Sequence, residues 1–195
     1  MASGWFGSEI CGLPVENERK GEEEMYTYNL TQWLAFFIIY CFIGWCWESS
    51  FVSVKKKKWV NRGFMHGPLL PIYGSGAVLI LFVSLPFKAH PVAVYFAGMI
   101  AATILEYVTG VLMESLFKVR YWDYSNQKFN FQGHICLTSS LAWGFFSIAM
   151  VYWVHKPFEK FVLSIPEAVL SPIVHVVMML ALSLIHISEP TRRSY

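Results

Sequence analysis

Residues 32–54 read QWLAFFIIYCFIGWCWESSFVSV, an apolar stretch with one carboxylate, Glu48, and it stops at four lysines, Lys55 to Lys58. About 20 mostly apolar residues match the hydrocarbon thickness of a bilayer at helical rise. Lysine clusters beside a short loop stay on the cytoplasmic face. The stretch therefore predicts a membrane-spanning helix that starts outside and enters the cell at Lys55.

Composition agrees with this reading. Hydrophobic residues make up 55% of the 195 residues and charged ones 14%, with a mean hydropathy of +0.45, which is too apolar for an ordinary soluble domain. Further apolar runs lie at about Pro68 to Leu85, Pro91 to Phe117 and Ile135 to Val154, with a shorter one from about Val169 to Ala181. The expected fold is all-α, a polytopic bundle of about five transmembrane helices. The inner loops hold eight basic residues, Lys55 to Lys58, Arg62, Lys118, Arg120 and Lys128, against five outside, Arg19, Lys20, Lys88, Lys156 and Lys160, so loops 55–67 and 118–133 are expected to be cytoplasmic.

The motif Gly44-x-x-x-Glu48-Ser49-x-Phe51 recurs as Gly110-x-x-x-Glu114-Ser115-x-Phe117, and Gly67 recurs as Gly133 at the same 66-residue offset. This predicts a four-helix core over residues 31–154 built from two parallel repeated hairpins, about 36–85 and 102–154, related by an axis along the membrane normal. Residues 1–30 read as an acidic, disordered tail without the apolar core of a signal peptide. Residues 155–181 read as an outer loop and a truncated fifth helix. The last segment, 182–195, reads as an artefact, because Leu182 to Arg192 look like the translation of a sequencing adapter, so no function is expected of His186, Glu189, Arg192 or Arg193.

Gly98, Ala102, Glu106, Gly110 and Glu114 form a ridge at four-residue steps, and Cys136, Ser140 and Gly144 answer it from the fourth span. Small residues let helices approach closely in lipid. An unpartnered charge at mid-membrane costs about 2.5 to 3.5 kcal/mol on insertion scales, so Glu48, Glu106 and Glu114 should face inward. Glu48 and Glu114, near the inner ends of their spans, can reach Arg62 or Arg120, whereas Glu106 lies near the middle and is expected to be held as an uncharged carboxyl. These acids, with Arg62 and Asn61, are the candidates for a substrate or ion pathway; inter-helix salt bridges are the structural alternative.

No catalytic residue is assigned, since no nucleophile set, metal-ligand spacing or H-E-x-x-H pattern occurs. The scattered histidines and Cys11, Cys41, Cys46 and Cys136 lack metal-site spacing, so neither a metal nor a cofactor is expected. With a formal net charge of +2, the partner expected is the lipid bilayer and not nucleic acid.

The cytoplasmic turns carry Asn61-Arg62-Gly63-Phe64, Gly67-Pro68, Pro71-Ile72-Tyr73-Gly74-x-Gly76-Ala77, Trp122-Asp123-Tyr124 and Asn130-x-x-Gly133, and the third span carries Glu106-Tyr107-x-Thr109-Gly110. Over about Trp33 to Phe161 these motifs resemble the bacterial family of ABC-transporter permeases of the CmpB type, also called ABC-transporter type IV. The resemblance implies a permease subunit in a bacterial plasma membrane. The chain has no G-x-x-x-x-G-K-[ST] phosphate loop, so that role requires a separate ATPase subunit docking on the inner loops. Four helices leave little lumen, so a homo-oligomer or partner is also expected. Two other classes stay open at this point: an enzyme acting on lipid at the inner leaflet, which would depend on Glu48, Glu114, Arg62 or Asp123, and a non-catalytic accessory protein.

Overall fold

A computed structural model describes residues 28–63, 67–118, 120 and 122–188, and everything below concerns those residues. The tail before Tyr28 and the last seven residues lie outside them. The chain forms five helices in up-and-down order: α1 (Leu30–Lys56), α2 (Pro71–Ser84, prolonged by the 3-10 turn Leu85–Phe87), α3 (Pro91–Phe117), α4 (Leu137–Ser164) and α5 (Glu167–Ser188). The fold is a helical bundle, as the apolar pattern requires. Helices α1, α3 and α4 are long and apolar enough to cross a membrane, while α2 with its 3-10 turn (Pro71–Phe87) and the apolar part of α5 (Glu167–Ser183) are shorter.

Each helix end has a local cause. Asn29 caps α1 through a capping box with Gln32, which satisfies two amide donors that a helix start otherwise leaves open. Pro71 and Pro91 open α2 and α3 in the first turn, where a missing amide hydrogen costs nothing. Helices α1 and α3 both end on a lysine in left-handed conformation, Lys57 (φ 51) and Lys118 (φ 55), and a cation there complements the negative end of the helix dipole.

Helix α4 differs from the sequence expectation. The segment from His155, read above as an outer loop, is helical to Ser164 and continues α4 after a π turn at Met150–Val154. Its charged residues Lys156, Glu159 and Lys160 broke the apolar pattern that marked the span, but its buried face, His155 and Val162, still packs inward. Tyr28, counted with the tail, is packed as well: its ring meets Trp33, Phe36 and His155 edge-on. A short antiparallel ladder, β1 (Asn130–Phe131) with β2 (Ile135–Cys136), was not expected from the sequence.

Helix α3 shows why the bundle closes as it does. Val92, Phe96, Ile100, Ile104, Val108, Leu112 and Leu116, at four-residue steps, are exposed and form an apolar outer ridge. The opposite ridge holds the small residues, and α3 with α4 make the most extensive helix contact in the molecule. A side chain added at Gly98 would collide with Ser147, and one at Gly144 with the Tyr95 ring. Helix α2 and helix α4 begin at Pro71 and Leu137, the same 66 residues apart as the repeated motif. Helix α5 runs alongside α1, its Glu167 accepting a hydrogen bond from the Asn29 side chain at 3.0 Å.

Gly98→Val is expected to lower the unfolding free energy by about 1–3 kcal/mol through overpacking. Gly76→Ala, where the nearest atom is 3.8 Å away, should be neutral or stabilising by up to about 1 kcal/mol. Thermal unfolding of both variants in detergent checks the contrast.

Candidate functional site

The connections α1–α2 and α3–α4 do not simply arch between helices; each folds back along the helix it has just left. After Lys58 the chain returns beside α1: the Val60 amide donates to Ser53 Oγ (2.9 Å), the Arg62 amide to Ser49 Oγ (3.1 Å) and the Leu70 amide to the Cys41 carbonyl (3.0 Å). Cys41 lies about 22 Å along the helix axis from Lys56. The described residues of this segment run back beside α1, and α2 starts only at Pro71. Irregular backbone at such depth is tolerated only where protein covers it.

Glu48 sits where this segment passes. Arg62 Nε is 3.7 Å from one carboxylate oxygen and the Tyr73 hydroxyl donates to the other at 2.9 Å. Asn61 accepts from the Trp45 indole (2.7 Å) and from the Gly63 amide (2.9 Å), so its side chain ties the turn to α1. A Cβ on Gly63 would strike the Gly67 carbonyl, one on Gly74 would meet the Phe37 carbonyl, and one on Gly44 the Tyr73 ring. Pro68 lines an apolar groove with Ile38, Ile39 and Phe42, and Pro71 contributes the start of α2.

The second connection repeats the scheme with different chemistry. Arg120 binds Glu114 (3.1 Å) and Asp123 (3.4 Å), and the other Glu114 oxygen lies 3.2 Å from His134 Nε2. The Ser125 hydroxyl and amide, followed by the Arg120 charge, hold the Asp123 carboxyl below its usual range. The Trp122 indole donates to the His134 carbonyl (2.8 Å), and the Tyr124 amide to the Gly133 carbonyl (2.9 Å). Asn130 donates to the Gln127 carbonyl (2.8 Å) and accepts from the Gly133 amide (3.2 Å). Gly133 has φ +72, a conformation open to glycine at no steric cost.

This connection brings Tyr124 to Glu106. Its hydroxyl donates to one oxygen at 3.0 Å, while the other accepts from Ser139 Oγ (2.8 Å) and the Trp143 indole (3.1 Å). An indole nitrogen can only donate. Three donors, two from α4 and one from the connection, thus converge on the two oxygens of Glu106. Ser139, Trp143 and Ser147 stand at four-residue steps on α4, and this polar stripe was the sequence signal that would have located the partners of Glu106.

The structure thus separates the candidates into two hairpin clusters, Glu48 with Arg62, Asn61 and Tyr73, and Glu106 and Glu114 with residues 120–134. A third buried polar cluster at the other end escaped the sequence reading: His155, 1% exposed, has Tyr28 Oη 3.1 Å from Nε2 and Tyr40 Oη 2.9 Å from Nδ1. It joins the start of α1 to the last part of α4.

A family profile described as "Putative ABC-transporter type IV" matches residues 35–188, four fifths of the chain and every candidate residue above. The chain belongs to this family. No curated protein and no solved structure matches it. The ABC-transporter type IV match and helix α5 both run to residue 188, into the stretch that reads as an adapter. Family and apolar helices together make the chain an ABC-transporter-related membrane protein.

Burial, with the Glu106 charge and hydrogen bond, pushes the Tyr124 phenol from 10 up to about 12. The native state then holds this proton more tightly than the unfolded chain does. Its stabilising contribution is complete below pH 10 and is lost as pH rises from 10 toward 12. In an ultraviolet titration, the phenolate signal that disappears in Tyr124→Phe should be one that rises near pH 12; a missing signal centred near pH 10 would contradict the contact.

Proposed function

We propose that the protein is the membrane-spanning permease subunit of an ABC-type transport system in a bacterial plasma membrane, working with a separate ATPase. The cytoplasmic connections 55–67 and 118–133 form the docking face, and Glu48, Glu106, Glu114, Arg62 and Asn61 line or control the pathway. The observation that carries this reading is the hydrogen bond between Tyr124, in a connection, and Glu106, inside the bundle. A partner that moves this connection would withdraw Tyr124 and leave Glu106, still held by Ser139 and Trp143, with one oxygen free for a donor group of the substrate.

Exposed aromatics on the same connections support the docking role: Trp59 is 70% exposed and Phe129 81%. Phe129 and Gln132 are held in left-handed backbone conformation, φ 54 and φ 53, which is uncommon for such residues and costs energy. The two-hairpin core is narrow, so the transport path would be completed by a second copy or by a partner.

Two measurements test the proposal. Affinity purification of the intact protein from native membranes in mild detergent should recover a stoichiometric ATPase, lost when residues 55–67 are altered; repeated absence of an ATPase contradicts the permease role. Glu106→Gln should assemble normally but impair transport, whereas Glu106→Leu, which leaves three donors unsatisfied, should cost about 3 kcal/mol or more of stability.

A further inference from the structure

At the inner end of α3, on the side where the second connection folds back, lies an open cavity of about 450 Å³ lined by Tyr107, Glu114, Ser115, Lys118, Gln132 and His134 together with Val111. Its volume falls in the range of small-molecule sites, about 300–1,000 Å³. Three features define what it can hold.

The first is charge arrangement. Glu114 and Lys118 are four residues apart on one helix face, about 5–6 Å between Cβ atoms, yet they do not pair. Glu114 is turned to Arg120 and His134, and among the described residues Lys118 makes no ion pair. The cavity therefore presents a cation and an anion side by side, each with bonding capacity left: an ammonium with three donors, and a carboxylate whose two oxygens each keep a lone pair. The second is the neutral lining. Gln132 accepts from the Tyr107 hydroxyl through Oε1 (3.1 Å), which points its amide NH2 group to a further acceptor.

The third feature is position. The residues 107, 111, 115 and 118 are flanked on α3 by Val108, Leu112 and Leu116, the inner end of the exposed apolar ridge. A ligand in the cavity would have hydrocarbon directly beside it. We infer that this cavity binds the headgroup of a zwitterionic glycerophospholipid with a primary amine, its phosphate held by Lys118 and the Gln132 amide, its ammonium by Glu114, and its acyl chains lying along the α3 ridge. A carboxylate beside a lysine disfavours a purely anionic headgroup, and a quaternary amine has no N–H to give Glu114. This site shares Glu114, Lys118 and Gln132 with the pathway and docking face proposed above, but lipid binding to it is measured without transport or an ATPase.

The test is native mass spectrometry of the delipidated full-length protein in detergent, titrated with phosphatidylethanolamine, phosphatidylcholine, phosphatidylglycerol, glycerophosphoethanolamine and inorganic phosphate. One phosphatidylethanolamine should bind per chain in preference to the other two lipids. Lys118→Gln should weaken it about fivefold to tenfold, and Lys160→Gln, late in α4, should leave it unchanged. Lys118 is exposed, so removing its cation from the end of α3 should cost little stability, and a folded Lys118→Gln variant would show that the loss of binding is not misfolding. Equal binding of phosphatidylethanolamine by the parent and the folded Lys118→Gln variant would overturn the site. Binding of glycerophosphoethanolamine or inorganic phosphate as tight as that of the lipid would overturn the lipid assignment and point to a soluble phosphoryl ligand. Preference for phosphatidylglycerol would overturn the role of Glu114.

Discussion

A carboxylate inside an apolar bundle has to be given donors, and Glu106 receives three, from two different parts of the chain. Ser139 and Trp143 fix it to α4, and Tyr124 fixes it to the connection that precedes α4. The cost of placing a charge in this environment is several kcal/mol when nothing answers it. The rest of the second hairpin follows from meeting that demand: the connection must fold back into the bundle, Gly133 must take a positive φ, and Gly110 must stay bare because a Cβ there would sit 3.0 Å from His134 Nδ1.

The first hairpin solves the same topological problem with another set of contacts. Here the returning segment is pinned by hydroxyls of α1, Ser49 and Ser53, and by a backbone bond to Cys41, and the acid Glu48 meets Arg62 near the surface. Arg62 is half exposed, so this ion pair is worth at most about 1 kcal/mol; the hydrogen bonds and the close packing of Gly44 and Gly74 carry more of the structure. The two hairpins share an offset but differ in polar content: the first connection is bonded to the buried Ser49 and Cys41, the second to the Glu106 carboxyl.

Much of the bundle was legible because lipid imposes a simple code. Apolar length located the helices, lysines marked where α1 and α3 end, and the ridge from Gly98 to Glu114 marked the face of α3 that packs. The code failed where the chain departs from it. The run 155–164 is charged on one face and buried on the other, so a hydropathy window ends before the helix does. The fold-back of the connections was hidden too, because hydrogen bonds such as Leu70 to Cys41 are made by backbone atoms that leave no trace in residue type. His155 looked isolated in the sequence because its partners, Tyr28 and Tyr40, lie 127 and 115 residues away.

The central claim is that the connection before α4 is held to the bundle interior through Glu106. A double-mutant cycle on unfolding free energy, with Tyr124→Phe, Glu106→Gln and the combined variant in the same detergent, measures that link directly. A partly buried hydrogen bond predicts a coupling of about 1 kcal/mol or more between the two sites. Additive effects within about 0.5 kcal/mol would contradict it.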